Sequence, residues 1–123
     1  MKIEIGMYPF TPFELRLFHS RKKCSDWVMR KYGTELEYKD GCGAQTVLID
    51  DVAVVLIEVS EEAVWENALL VHESYHIVCE HLKAIGEENA GEEIMAYMIQ
   101  CVSGALMDAH MRWRSRHAIG NDE

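Results

Sequence analysis

The chain has 123 residues, 12 Lys/Arg against 21 Asp/Glu for a net charge of -9 at pH 7, and 49% hydrophobic residues. That is the length of one domain, residues 1–123, with a globular rather than disordered composition and enough apolar residues to fold without a metal or disulfides. No apolar run approaches the roughly 18 residues of a membrane span, and Met1-Lys2-Ile3-Glu4-Ile5 lacks the long apolar stretch of a secretory signal, so a cytoplasmic location is expected.

The charge is uneven. Residues 1–39 carry eight Lys/Arg against five Asp/Glu (+3), residues 40–111 carry one against fourteen (-13), and residues 112–123 carry three against two (+1). An acidic middle argues against nucleic acid as a partner, because nucleic acid is held by neutralising its phosphates. The basic runs Arg21-Lys22-Lys23 and Arg112/Arg114/Arg116 read as solvated helix ends. Cys24, Cys42, Cys79 and Cys101 form no CxxC pair and read as free thiols, Cys79 and Cys101 in helical core positions.

Pro9 and Pro12 predict irregular structure over 6–13. Residues 13–32 show a helical pattern (Phe13, Leu17, Cys24, Trp27, Val28, Tyr32), with an interruption near His19-Ser20 and a stop at Gly33. A short strand is predicted over 35–39, a loop at Asp40-Gly41-Cys42-Gly43, and a β-hairpin from 46–49 and 52–57 around Asp50-Asp51. Ser60 suits an N-cap, with Glu61 and Glu62 in the first turn of a long helix ending near Ala84 or Ile85 before Gly86. Asn89-Ala90-Gly91-Glu92 resembles a capping box for a second helix, about 90–116, with Ile94, Met98, Cys101, Val102, Ala105 and Ala109 on its apolar side. The short connection makes the two helices antiparallel neighbours. The expected fold class is α+β: a helix, a small antiparallel sheet, then a helical hairpin.

His72-Glu73-Ser74-Tyr75-His76 is an HExxH sequence within the long helix. Residues four apart share one helix face, so both imidazoles can ligate one Zn2+ at ~2.0–2.1 Å. Glu73, beside that face, can take a proton from a metal-bound water. The apolar flanks Ala68, Leu69, Leu70, Val71, Ile77 and Val78 predict a substantially buried helix, where two histidines and a carboxylate need partners. The bland alternative is a pair of histidines satisfied by ordinary hydrogen bonds.

A catalytic zinc takes three protein ligands and keeps one open position. The second helix offers Glu93, with Glu92 as its rival nearer the cap. Ala96, Tyr97 and Gln100 continue the Glu93 face. Tyr97 either stabilises an oxyanion or orients a ligand, or else simply packs. Two histidines and one carboxylate also suit Fe(II).

His72-Glu73-Ser74-Tyr75-His76 followed by Glu93-Ile94-Met95-Ala96-Tyr97 resembles a minimal gluzincin, the zinc metallopeptidase group with HExxH and a downstream glutamate ligand. In that group the third ligand opens an ExxA or ExxS segment, which Glu93 and Ala96 match over about residues 60–110. The chain is also similar to small phage and prophage proteins, which would put it in a bacterial host. The resemblance implies a strand beside the HExxH helix that binds an extended peptide by strand addition, here 46–49 or 52–57. The metzincin subgroup is excluded, since Cys79 and Leu82 stand where its Gly and third His would be.

Of the other histidines, His81 points about 140° away from His76 on the same helix. His110 and His117 are expected exposed, and His19 has no partner visible in the sequence. Cys42 could reach the metal and block its open position. The expected function is a zinc-dependent hydrolase acting on a peptide or protein, with His72, His76 and Glu93 holding the metal and Glu73 and Tyr97 catalytic. The alternatives are a zinc-binding phage structural or interaction protein without catalysis, or a metal-free acidic protein. Oligomeric state is not legible in the sequence.

Overall fold

The computed structural model describes residues 2–5, 13–60, 62–87, 89 and 91–121. Four strands and three helices run in the order β1 (Lys2–Ile5), β2 (Phe13–Phe18), α1 (Arg21–Tyr32), β3 (Ala44–Ile49), β4 (Val52–Ile57), α2 (Ala63–Ala84) and α3 (Glu92–Asn121). This is the expected α+β class. The predicted irregular segment falls largely on 6–12, outside the described residues.

The sheet is mixed, not antiparallel as expected, in the order β1-β2-β4-β3. β2 pairs antiparallel with β1 and parallel with β4, with Leu17 opposite Val55, and β3 and β4 form the predicted hairpin. The hairpin turns through Asp50, whose φ of 49° lies in the left-handed region that Asp tolerates better than most residues. β3 begins two residues earlier than predicted and forms one edge of the sheet.

The first predicted helix is wrong in its N-terminal third, because residues 13–18 are the strand β2. The apolar residues there, Phe13, Leu15 and Leu17, recur with period two, and Leu15 and Leu17 are buried against the helical hairpin. Six residues are too few to separate that alternation from a helical stripe. The chain changes from strand to helix at His19-Ser20, where Ser20 caps α1 by accepting from the Lys23 N–H. Gly33 ends α1 in the left-handed conformation, as expected.

Residues 35–39 form no strand. The Gln45 side chain accepts from the Lys39 N–H and donates to the Glu37 carbonyl, so a side chain takes the place of a ladder. Leu36 and Tyr38 meanwhile pack toward α1.

β4 accounts for the three-layer arrangement. Ala53, Val55 and Ile57 face a core shared with Leu70, Ile77, Val78, Met98, Val102 and Leu106 of α2 and α3. Val54 and Leu56 face the other way, onto Cys24 and Val28 of α1. A strand covered on both sides reads as a continuous apolar run, which Val52–Ile57 is. Each fully buried Leu or Ile contributes about 1.5–3 kcal/mol of transfer free energy. Cys24 is the deeply buried thiol, whereas Cys79 and Cys101 are only half-buried and Cys42 is exposed; all four are free. No helix among the described residues is long and apolar enough to cross a membrane.

α2 starts at Ala63 with Glu62 at the cap, not Ser60, and the cap has no side-chain hydrogen bond. Ser60 instead accepts from the Glu62 N–H and donates to the Glu66 carboxylate. Glu61 and Ala90, part of the two predicted helix starts, lie outside the described residues. α3 runs past Arg116 to Asn121. His110, late in α3, meets Glu66, early in α2, at 2.8 Å, so the helices are antiparallel as expected.

Candidate functional site

α2 buries one side and leaves the other in water. Leu70, Glu73, Ser74, Ile77 and Val78 lie inside, whereas His72 and His76 are exposed. The two histidines therefore stand at the surface, not within a buried helix as the apolar flanks suggested. One helical turn apart, they bring their Nε2 atoms to 3.2 Å. His81 lies on the buried side, as its helical angle requires.

Glu73 sits between the histidines and the core, 6% exposed. Its Oε1 accepts a 2.7 Å hydrogen bond from Thr46 Oγ1 on β3, and its Oε2 lies 4.0 Å from His72 Nε2. One carboxylate oxygen is thus anchored to the sheet and the other faces the histidines. Thr46 was not anticipated. Its only trace in the sequence is an alternation that puts it on the α2 side of β3, and nothing there pairs it with a residue 27 positions on.

His72, Glu73, His76 and Thr46 line a groove of about 650 Å3 between α2 and the start of β3, together with Lys39, Cys42, Trp65 and Leu69. That volume lies in the range of small-molecule and peptide-side-chain sites. The loop forming its far wall is pressed close to α2 at Gly43, which has φ +77°. A Cβ there would lie 2.8 Å from a Leu69 methyl, so only glycine fits without a shift. Cys42 lines the same groove.

The predicted third ligand stands elsewhere. Glu92 and Glu93 are exposed in the first turn of α3. With Glu66 level with His110, Glu93 is seventeen residues from that level, about 26 Å along a helix, and His76 only ten, about 15 Å. Glu93 therefore lies roughly 10 Å beyond His76 along the hairpin. The Glu93, Ala96, Tyr97 and Gln100 face points to solvent, while α3 buries Met98, Val102, Leu106 and Ala109. Tyr97 is 53% exposed, and its hydrogen bond with Cys101 on its own helix holds the phenol above its usual pKa. The structure brings together His72, His76 and Glu73, and does not bring Glu93, Glu92 or Tyr97 to them. Among the described residues no group of three or more His, Cys, Asp or Glu is placed to hold a metal.

Two ligands of a zinc site do fit. Two nitrogens bound at ~2.05 Å with a tetrahedral angle stand about 3.3 Å apart, and His72 and His76 present theirs at 3.2 Å. Imidazole nitrogen is also a donor zinc favours. The fit extends to two protein ligands and a nearby carboxylate, and not to a third protein ligand.

A second polar cluster lies at the other end of α2. Glu66 is completely buried and accepts from His110 Nε2 at 2.8 Å, Arg114 Nη1 at 2.5 Å, Ser60 Oγ at 3.1 Å and the Ser60 N–H. His110, also fully buried, meets His19 Nε2 through its Nδ1 at 3.0 Å. The order of partners sets the tautomers: His110 donates from Nε2 to the carboxylate and accepts at Nδ1 from His19. Trp113 is sandwiched between His19 at 3.8 Å and the exposed His117 at 4.0 Å. His110 is therefore buried, against expectation, and His19 has its partner 91 residues away.

No family model matches the chain, and neither a curated protein nor a solved structure does.

Proposed function

We propose that this protein is a zinc-dependent hydrolase of peptides or proteins, resident in the cytoplasm, with His72 and His76 as metal ligands and Glu73 as general base. The observation that carries this reading is the 3.2 Å convergence of two Nε2 atoms beside a buried carboxylate held from behind by Thr46. A bound zinc would polarise the scissile carbonyl and acidify water at the site.

The chain's own residues supply the rest. Glu73 takes the proton of the attacking water and returns it to the leaving nitrogen, and the Thr46 hydroxyl keeps the carboxylate aimed at the groove. Of the two strands named for strand addition, β4 is paired on both sides, whereas β3 has one partner among the described residues and contributes Thr46 to the groove. The edge position of β3 supports reading it as the strand along which an extended peptide would pair, with side chains reaching the groove.

Glu73→Gln keeps size and the Thr46 contact but cannot take a proton. It is expected to bind zinc with wild-type affinity and to lose about 10²–10⁴-fold in cleavage of a peptide library. Cleavage at the wild-type rate would overturn the role of Glu73. Zinc binding with no cleavage by the wild-type chain would instead favour a non-catalytic zinc-binding protein.

A further inference from the structure

We infer that the outer face of the α2–α3 hairpin is the contact surface for a second copy of this chain, giving a dimer built on four packed helices. Both helices carry an apolar row that the monomer leaves bare. On α2 it runs Val64, Ala68, Val71, Tyr75, and on α3 Ile94, Tyr97, Gly104 and Met111, with the half-buried Cys101 and the charged Asp108 in line between them. Each row alternates steps of three and four, the spacing of a seam between packed helices rather than of scattered surface residues. These rows differ from the stripes that build the core, Leu70, Ser74 and Ile77 on α2 and Met98, Val102, Leu106 and Ala109 on α3.

The rows lie side by side. With Glu66 level with His110, Tyr75 stands level with Cys101 and Val71 with Ala105. At its centre Gly104 is exposed, with nothing within 4 Å of where its Cβ would be. The one charged member, Asp108, is bridged along α3 to Arg112 at 2.8 Å. The two phenols are turned along the surface, Tyr75 bonded to Cys79 and Tyr97 to Cys101, each on its own helix.

The size fits a copy of itself. Val64, Val71, Tyr75, Ile94, Tyr97 and Met111 are between 39% and 84% exposed. Together they leave on the order of 600 Å2 bare, the upper end for a monomer and close to the ~800 Å2 each partner gives to a standard interface. The chain as a whole carries -9, so two copies repel at most of their surfaces. A face whose one carboxylate, Asp108, is already paired with Arg112 is where they can meet, and a two-fold axis through Gly104 sets one row on the other.

Gly104 gives a test that misfolding cannot imitate. Glu there improves the intrinsic helix propensity of α3 over Gly by up to about 1 kcal/mol and meets nothing within its own chain. In the dimer it puts two like charges face to face. Sedimentation equilibrium of the full chain in reducing buffer is expected to show a concentration-dependent dimer for wild type and Gly104→Ala. For Gly104→Glu the dissociation constant should rise at least about tenfold, with unchanged helical circular dichroism. Wild-type protein that stays monomeric at every concentration would overturn the inference. So would a Gly104→Glu variant that dimerises as tightly as wild type.

Discussion

Glu66→Ala should be among the most destabilising single changes in this chain, lowering the free energy of unfolding by about 3–5 kcal/mol. Glu66 is completely buried and joins four elements of structure: Ser60 before α2, its own helix, and His110 and Arg114 of α3, with His19 after β2 attached through His110. Alanine leaves the fully buried His110 Nε2–H without an acceptor, at the cost of an unmade hydrogen bond in the interior. Arg114 suffers less, since a third of its side chain remains in contact with water. Glu66→Gln keeps one acceptor oxygen and is expected to lose markedly less. Against a typical total of about 5–15 kcal/mol, the alanine variant should shift the urea midpoint far enough to be unmistakable. A loss below about 1 kcal/mol would mean that the cluster is not what ties the helical hairpin to the sheet.

Acidification should act on the same cluster, and the sign follows from its members. Burial, then the neighbouring His110, holds the His19 imidazole down at about 3 from its usual 6.5. A base whose folded-state pKa is depressed contributes stability above its unfolded value, and that contribution is lost as pH falls from 6.5 toward 3. For Glu66, burial pushes the carboxyl up, but hydrogen bonds from the Ser60 N–H, His110, Arg114 and the Ser60 hydroxyl overcome it and hold the group below its usual 4.5. Its stabilisation is present above 4.5 and lost on further acidification, in the same direction.

The His19 contribution, discounted for the part of the ring that water reaches, is on the order of 2 kcal/mol. Unfolding free energy from urea titrations should therefore be flat near neutrality and fall steadily below pH 6.5. In His19→Phe the slope should shrink by the His19 share, because Phe keeps the stack on Trp113 and does not titrate, leaving the fall that comes from His81, whose imidazole burial also holds below 6.5. A wild-type stability unchanged between neutrality and pH 4 would contradict the network.

Local signals carried much of the fold, and long-range ones did not show. The α2 helix, its stop before Gly86, the β3–β4 hairpin and the antiparallel α3 all follow from short-range patterns. β2 was misread because residues 13–18 are too short for their period to speak, and its parallel pairing with β4 joins segments nearly forty residues apart. The Glu66–His110–His19 chain was invisible for the same reason, with 44 and 91 residues between its members. His110 read as an exposed residue near a helix end because the helix was expected to stop near Arg116; it runs on to Asn121, and His110 lies further inside it.

At the candidate site, the i,i+4 geometry of His72 and His76 was legible, since one helix sets it. Glu93 was chosen by spacing along the chain, but whether a second helix brings its first turn to the metal depends on how far the hairpin slides. The Glu66–His110 contact sets that slide. Thr46, which orients Glu73, could be found only once β3 lay beside α2.

Whether His72 and His76 bind a metal is decided by isothermal titration of zinc into metal-free, untagged protein. One zinc per chain is expected, with binding lost in His76→Ala and retained in Glu93→Ala, whose position lies about 10 Å further along the hairpin. Wild-type protein that takes up no zinc at neutral pH, or a His76→Ala variant that binds as well as wild type, would contradict metal binding by His72 and His76.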